Sequence, residues 1–286
     1  MSPARGRTVL LTALALLAFA GNSLLCRRAL THTTIDAASF TTIRVLAGAI
    51  VLLAIVQLRS GPKHAGGSWG SALALFVYAA GFSFAYVRLT AGTGALLLFG
   101  AVQATMITAG VARGERLSAL QTGGLLLAYA GLIDLVLPGL SAPPLLSATL
   151  MIAAGAAWGV YSLRATGVGD PTAVTAGNFA RAVPMALVVS VVALSQRSID
   201  VTGAMYAVAS GAITSGLGYA IWYTALRELR ATVAATVQLS VPVIAAAGGV
   251  LLLHEPLTLR LLIATALILG GVALVVLTRT ARQVVE

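Results

Sequence analysis

Long apolar stretches with few charged residues constrain the fold of this chain more than any other feature. A helix needs about 20 apolar residues to cross the hydrocarbon core of a bilayer. Short clusters rich in charge, proline or glycine separate the stretches, as expected where helices leave the membrane. The stretches are continuous rather than alternating, which argues against a β-barrel. They predict an all-α integral membrane protein with ten transmembrane spans, at residues 8–26, 36–58, 69–87, 91–112, 118–137, 145–163, 172–194, 202–224, 231–252 and 257–278.

The composition agrees with a chain embedded in lipid. Hydrophobic residues make up 59% of the 286 residues and charged residues 9%, and the mean hydropathy is +0.97. A soluble domain of this length needs more surface charge. The net charge of +10 comes from basic residues scattered at span ends, so we expect the lipid bilayer as a partner and no nucleic acid. A single cysteine, Cys26, and three histidines give no metal-binding or catalytic pattern, so neither a metal nor a cofactor is expected.

The basic residues indicate the orientation of the chain in the membrane. With the amino terminus in the cytoplasm, eleven of them fall in cytoplasmic segments and five on the opposite side, and this excess favours cytoplasmic positions for both termini. The first stretch also allows a competing interpretation as a signal peptide, because basic residues precede it and Ala18-Phe19-Ala20 resembles a cleavage site. The eleven are Arg5, Arg7, Arg59, Lys63, Arg113, Arg116, Arg164, Arg227, Arg230, Arg279 and Arg282, and the five are Arg27, Arg28, Arg88, Arg197 and Arg260.

The sequence also contains an internal repeat. The segment at 114–137 parallels the one at 254–277, and 85–97 parallels 225–237 at the same offset. Five spans per half is an odd number, so the second half must enter the membrane from the opposite side. This predicts two inverted five-helix repeats, at 1–140 and 141–286, with a shared substrate site near the middle of the membrane.

Short motifs within the repeat resemble a known family. Each half has an acidic residue at the start of its last helix, within Gly114-Glu115-Arg116-Leu117 and His254-Glu255-Pro256-Leu257. With the alanine pattern at 225–235 and Pro242, these motifs resemble the drug/metabolite transporter superfamily of the EamA type; Val102 stands in the first half where Pro242 stands in the second. Within the family, the chain looks most like aromatic amino acid exporters of bacterial inner membranes. The resemblance implies a multi-pass transporter that acts on small molecules, with amino acids as its substrates. The glycine pairs at 123–124, 248–249 and 270–271 predict close helix packing within a monomer rather than a dimer face.

Ionisable and polar residues inside the spans are candidates for substrate binding. A charge facing lipid is costly, so Arg44 and Arg181 are expected either to attract a substrate carboxylate from a cavity or to snorkel toward the membrane surface. Deep amide side chains bind substrate polar groups or bond neighbouring helices. The amide candidates are Asn22, Gln103, Asn178 and Gln238.

Aromatic residues cluster although they form only 6% of the chain. They are expected to form either the wall of an amphipathic cavity that stacks on planar solutes, or an interfacial belt and helix packing. The candidates for the cavity wall are Tyr78, Phe82, Phe99, Trp158, Tyr161 and Tyr219, and those for gating hinges are Gly211, Gly216, Gly218 and Pro242.

These patterns lead to a secondary transporter as the main functional hypothesis. It would export small amphipathic metabolites by alternating access, and the resemblance narrows these to amino acids, aromatic or other apolar ones above all. All eight acidic residues fall in loops or near span ends, which favours a facilitator or exchanger over a proton antiporter. One alternative is a transporter of phosphorylated sugars or nucleotide-sugars, which needs several deep basic residues. The other is an intramembrane enzyme, which needs a catalytic constellation that the sequence does not present.

Overall fold

The computed structural model describes residues 3–60, 66–114, 116–137, 139, 142–165, 169–229 and 231–283. Ten helical spans in these ranges are long and apolar enough to cross a membrane, so the predicted all-α membrane fold is confirmed. The α-helices are α1 (Pro3–His32), α2 (Ala37–Ser60), α3 (Trp69–Tyr86), α4 (Ala91–Ala112), α5 (Ala119–Val136), α6 (Leu145–Arg164), α7 (Pro171–Val192), α8 (Val201–Ala209), α9 (Gly218–Leu226), α10 (Ala231–Gln238), α11 (Ser240–Leu253) and α12 (Leu259–Gln283). A short 3₁₀ turn (Leu194–Gln196) follows α7.

Side-chain caps explain why several helices begin where they do. Ser68 and Thr90 accept hydrogen bonds from the free backbone N–H groups at the starts of α3 and α4. Ser118 and Gln121 form a reciprocal capping box at the start of α5. Asp170 caps α7 through its side chain, as Ser68 and Thr90 cap α3 and α4. The polar breaks in the sequence therefore fix the ends of the spans as well as separating them.

The contacts between spans repeat with the two-fold pattern that the sequence repeat predicts. α2 packs against α7, α4 against α11, and α5 against α12, and each of these pairs joins corresponding spans of the two halves. α3 packs on α6 and α7, just as the eighth span packs on α1 and α2. Two five-span repeats of opposite orientation account for this pairing. The boundary at 140/141 and Glu115 lie outside the described residues, so the exact repeat limits stay a prediction.

The first apolar stretch is a full member of this bundle. α1 packs against α11, α9 and the segment between α8 and α9. Ala15 and Ala20 are almost completely buried on it. These contacts favour a structural span over the competing interpretation of this stretch as a signal peptide.

Two spans of the second repeat are interrupted. The eighth consists of α8, a π-helix at Ser210–Leu217 and α9. The ninth is broken at Leu239, between α10 and α11. Pro242 has no N–H to donate to the carbonyl of Gln238, four residues earlier, which accounts for a break at this point. The first repeat has Val102 in the matching place, and α4 is continuous from Ala91 to Ala112.

The interface between α5 and α12 depends on glycine. A Cβ atom built on Gly124 would lie 2.7 Å from the carbonyl oxygen of Gly271, and one on Gly271 would collide with the carbonyl oxygen of Gly124. The neighbouring Gly123 and Gly270 have open space around the same position. Close backbone approach between small residues is a usual source of helix association in membranes.

We expect Gly124→Val and Gly271→Val to destabilise the protein by about 1–3 kcal/mol, because the added methyl groups force the two helices apart. Gly123→Val and Gly270→Val place the same side chain one residue away, in open space, and should leave stability almost unchanged. Thermal unfolding in detergent, followed by size-exclusion chromatography, measures the difference. Equal losses in both pairs would contradict this account of the interface.

Candidate functional site

A cavity of about 320 Å³ lies between the two repeats. Its wall comes from α1, α3 and α4 of the first repeat and from α6, the eighth span and α10 of the second, with the start of α7 at one edge. Corresponding spans of the two halves thus face one another across it. The residues that line it are Phe19, Asn22, Ser23, Tyr78, Phe82, Leu98, Phe99, Val102, Met106, Trp158, Tyr161, Ser162, Ala165, Pro171, Thr214, Ser215, Tyr219, Trp222, Tyr223, Leu226 and Gln238.

Most of the residues that the sequence nominates for binding lie in this wall. Eight of the twelve do so: Asn22, Tyr78, Phe82, Phe99, Trp158, Tyr161, Tyr219 and Gln238. The other four, Arg44, Gln103, Asn178 and Arg181, do not line it. Gln103 is buried on α4. A role in binding stays a prediction for all twelve.

Aromatic rings form a continuous surface around the cavity. The ring of Trp158 lies at its centre, with its centroid 4.6 Å from that of Tyr78, 5.5 Å from that of Tyr161 and 5.3 Å from that of Tyr219. The chain of contacts continues from Tyr219 to Phe19, at 5.8 Å. Because these rings come from both repeats, a planar apolar solute can contact both halves of the protein at once.

Asn22 is the main polar junction of the wall. Its Nδ2 atom donates to the hydroxyl oxygen of Tyr78 at 3.3 Å. Its Oδ1 atom accepts from Ser210 at 2.6 Å and from Thr214 at 3.2 Å. One amide side chain therefore ties α1 to α3 and to the π-helix of the eighth span.

Asn178 and Arg181 hold the turn that precedes α3. The Oδ1 atom of Asn178 accepts from the backbone N–H of Ser68 at 2.9 Å. Nη1 of Arg181 donates to the carbonyl oxygens of Gly66 at 2.7 Å and Gly177 at 3.0 Å. Asn178 also reaches the cavity wall indirectly, since its Nδ2 atom donates to the hydroxyl of Tyr161 at 3.4 Å.

Arg44 lies one layer behind the aromatic wall. Only 2% of its surface is exposed. Its guanidinium carbon lies 4.8 Å from the ring centroid of Phe82 and 5.6 Å from that of Tyr78. Its Nη1 atom is buried and has no hydrogen-bond partner among the described residues.

The proposed hinge residues lie at the irregular parts of the second repeat. Gly211 and Gly216 belong to the π-helix, and Gly218 follows it directly. A side chain on Gly211 would collide with the backbone carbonyl of Arg44, so glycine is needed there for close packing on α2. Pro242 is buried near the break at Leu239. A role in motion stays a prediction for these four residues.

The structure adds wall residues that the list of site candidates lacks. Phe19 lies in the first apolar stretch, which also allows an interpretation as a signal peptide. The sequence alone therefore does not place Phe19 in the helix bundle. Thr214 and Ser215 are small hydroxyl residues, a type that commonly bonds within its own helix. Both belong to the π-helix, and residue spacing that assumes a regular α-helix does not reveal which face of a π-helix meets the cavity. Ser23, a deep polar residue next to Asn22, also lines the cavity.

The cavity extends to one end of the bundle and is closed at the other. It reaches Ala165, Pro171 and Leu226, where α6 ends, α7 begins and α9 ends. At the opposite end, Nε of Arg27 pairs with Oε1 of Glu255 at 2.9 Å.

Arg27 and Glu255 together bridge α1, α3, α4 and the loop before α12. Nη1 of Arg27 donates to the carbonyl oxygens of Tyr86 and Val87, at the end of α3. Oε2 of Glu255 accepts from the backbone N–H of Ala91, at the start of α4, at 2.8 Å. A carboxylate is favoured at a helix N-terminus because it satisfies free N–H groups and complements the helix dipole.

Carboxylates in loops reinforce the same end. Asp36 accepts from the backbone N–H groups of Ser39 and Ser198. Partial burial raises the pKa of Asp36, but these hydrogen bonds outweigh it and hold the pKa below its usual value. Asp200, whose pKa is lowered mainly by the hydrogen bond from Gly203 N, accepts from the backbone N–H of Thr34. Both stay ionised at neutral pH and tie the loop after α1 to the loop before α8.

Comparison with known proteins gives three similarities. Residues 145–277 match the EamA-like transporter family. The chain is 56% identical over 281 residues to an uncharacterized protein of Pseudomonas aeruginosa, covering 98% of both chains. It also resembles the crystal structure of a protein with 19% identity and a TM-score of 0.67, over 96% of this chain and 98% of the other, which supports the fold alone.

Cys26 provides a built-in probe of the closed end. It is the single cysteine of the chain, fully buried beside Arg27. We expect a membrane-impermeant maleimide to label it slowly in the native protein and several-fold faster in Glu255→Gln, because a neutral amide holds Arg27 less strongly. Glu228→Gln is the control, since Glu228 accepts a hydrogen bond from Thr8 at the opposite end. The same rate of labelling in both variants would contradict a closure held by Glu255.

Proposed function

Since residues 145–277 match the EamA-like transporter family, we propose that this chain is a secondary transporter that exports aromatic and other apolar amino acids. The observation that carries the proposal is the aromatic surface centred on Trp158, which both repeats build. Such a surface buries a planar or greasy side chain. The amides of Asn22 and Gln238 and the hydroxyls of Tyr78 and Thr214 supply polar contacts for the rest of an amino acid.

The proposed mechanism is alternating access. The two repeats rock against each other around the cavity, and the present form is open at the end where α6 and α9 terminate. Opening the other end requires the Arg27–Glu255 contacts to break. The π-helix with Gly211, Gly216 and Gly218, and the break near Pro242, are the places where the eighth and ninth spans bend most readily, because their backbones already depart from the α-helical hydrogen-bond pattern.

The orientation follows from the distribution of basic residues. With both termini in the cytoplasm of a bacterial inner membrane, the open end of the cavity faces the cytoplasm. That arrangement suits loading of an export substrate from inside the cell. A monomer suffices, because a single chain supplies the whole wall.

Other functions have less support. A carrier of phosphorylated sugars or nucleotide-sugars needs several cations at the site, and the described residues that line the cavity include neither lysine nor arginine. An intramembrane enzyme is a still weaker candidate, because EamA-like proteins form a transporter family.

Flux into liposomes that contain only this protein tests the proposal. We expect saturable transport of phenylalanine and tryptophan, and at least a ten-fold loss of kcat/KM in Trp158→Ala, which removes the ring contacted by Tyr78, Tyr161 and Tyr219. Trp69→Ala is a matched control, because Trp69 is 62% exposed on the outside of α3. Flux restricted to phosphate-bearing solutes would contradict the proposed substrate class.

A further inference from the structure

We propose that Arg44 gives this cavity a charge preference: the cavity accepts aromatic solutes that carry a carboxylate and rejects those whose only charge is an ammonium group. The inference deepens the proposed function and rests on the same cavity. It specifies which chemical group the site requires, which the aromatic wall alone does not.

Arg44 is a buried positive charge with no counter-ion among the described residues. The described part of the chain holds a single ion pair, Arg27–Glu255, and Arg44 has no part in it. The rings of Phe82 and Tyr78 offer cation–π contacts, but Nη1 still lacks an acceptor. An arginine stays protonated in proteins, and a buried charge without a partner is unfavourable. The presence of Arg44 is explained if an anionic group of the substrate offsets its positive charge during transport.

The electrostatic field of Arg44 extends into the cavity, although its guanidinium group is not part of the cavity wall. Its guanidinium carbon lies 5.6 Å from the ring centroid of Tyr78, which stands in the wall. The hydroxyl oxygen of Tyr78 already accepts a hydrogen from Asn22. Its own hydrogen is therefore left for an acceptor such as a substrate carboxylate, and the positive charge behind it strengthens that bond.

A cationic solute finds no comparable partner. The described residues of the wall include neither aspartate nor glutamate. The Oδ1 atom of Asn22 already accepts two hydrogen bonds, from Ser210 and Thr214. An amine without a carboxylate therefore meets the positive field of Arg44 with only neutral groups of the described wall, aromatic faces and amide or hydroxyl oxygens, to offset it. An amino acid keeps its carboxylate, so the preference still permits zwitterions.

The test compares ligands that share one ring and differ in charge: 3-phenylpropanoate, phenylalanine and phenethylamine. Binding to the purified full chain in detergent is followed by tryptophan fluorescence, since Trp158 and Trp222 line the cavity. We expect 3-phenylpropanoate and phenylalanine to bind at least ten-fold more tightly than phenethylamine. In Arg44→Gln this ratio should fall to about two or less, and Arg44→Lys should restore part of it.

Two further variants guard against misfolding and general charge effects. Tyr78→Phe keeps the ring but removes the proposed donor, and should weaken the binding of both carboxylates without improving that of phenethylamine. Arg260→Gln removes the same charge from another span, α12, where the side chain bonds to the carbonyl oxygen of Leu137, and should keep the ratio of the native protein. A change of ratio in Arg260→Gln but not in Arg44→Gln would overturn the inference, as would equal binding of all three ligands by the native chain.

The result that would refute the proposed function differs from the result that would refute the role of Arg44. Carboxylate-selective binding that depends on Arg44, without any flux of phenylalanine in liposomes, would sustain the inference and refute amino acid export. Flux of phenylalanine with no loss of selectivity in well-folded Arg44→Gln would sustain export and refute the role of Arg44.

Discussion

The fold depends on one constraint: inside a bilayer there is no water to satisfy backbone N–H and C=O groups. Regular helices meet this need within each span, so departures from the α-helix are confined to protected places. Both departures described here border the cavity. The π-helix at Ser210–Leu217 contributes Thr214 and Ser215 to the wall, and the break at Leu239 follows Gln238, another wall residue. Irregular backbone and binding surface therefore occur together.

The two repeats share an arrangement but differ in how freely they can bend. The third and fourth spans are single continuous helices, whereas their counterparts, the eighth and ninth, are interrupted. Sequence explains part of the difference, because Val102 keeps the hydrogen bond that Pro242 cannot make. Under the proposed mechanism, the bending that opens and closes the cavity should therefore lie mainly in the second repeat, while α3 and α4 move as rigid elements.

The sequence predicts the spans well because length and hydropathy are properties of local segments. The site is harder, since membership of a wall depends on which face of a helix meets its neighbours. Tyr78, Phe82 and Trp158 belong to aromatic clusters, and this pattern identified them as wall candidates. Asn178 and Arg181 share a face of α7, but that face meets the turn before α3, a long-range contact that spacing along one helix does not reveal. The π-helix has no comparable sequence signal.

Charge is distributed in a way that separates closure from recognition. At the closed end, Arg27 is paired with Glu255, and both side chains bond to the ends of other helices, so that charge is used to hold elements together. Beside the cavity, Arg44 has aromatic faces around it and no described acidic partner. A fixed internal partner for Arg44 would neutralise the cavity and remove its ability to distinguish anions from cations. An unpaired buried charge destabilises the folded protein. A bound carboxylate offsets this destabilisation only while the substrate is present. On this view the substrate supplies the missing counter-ion. The stability of the occupied cavity then depends on the charge of the substrate.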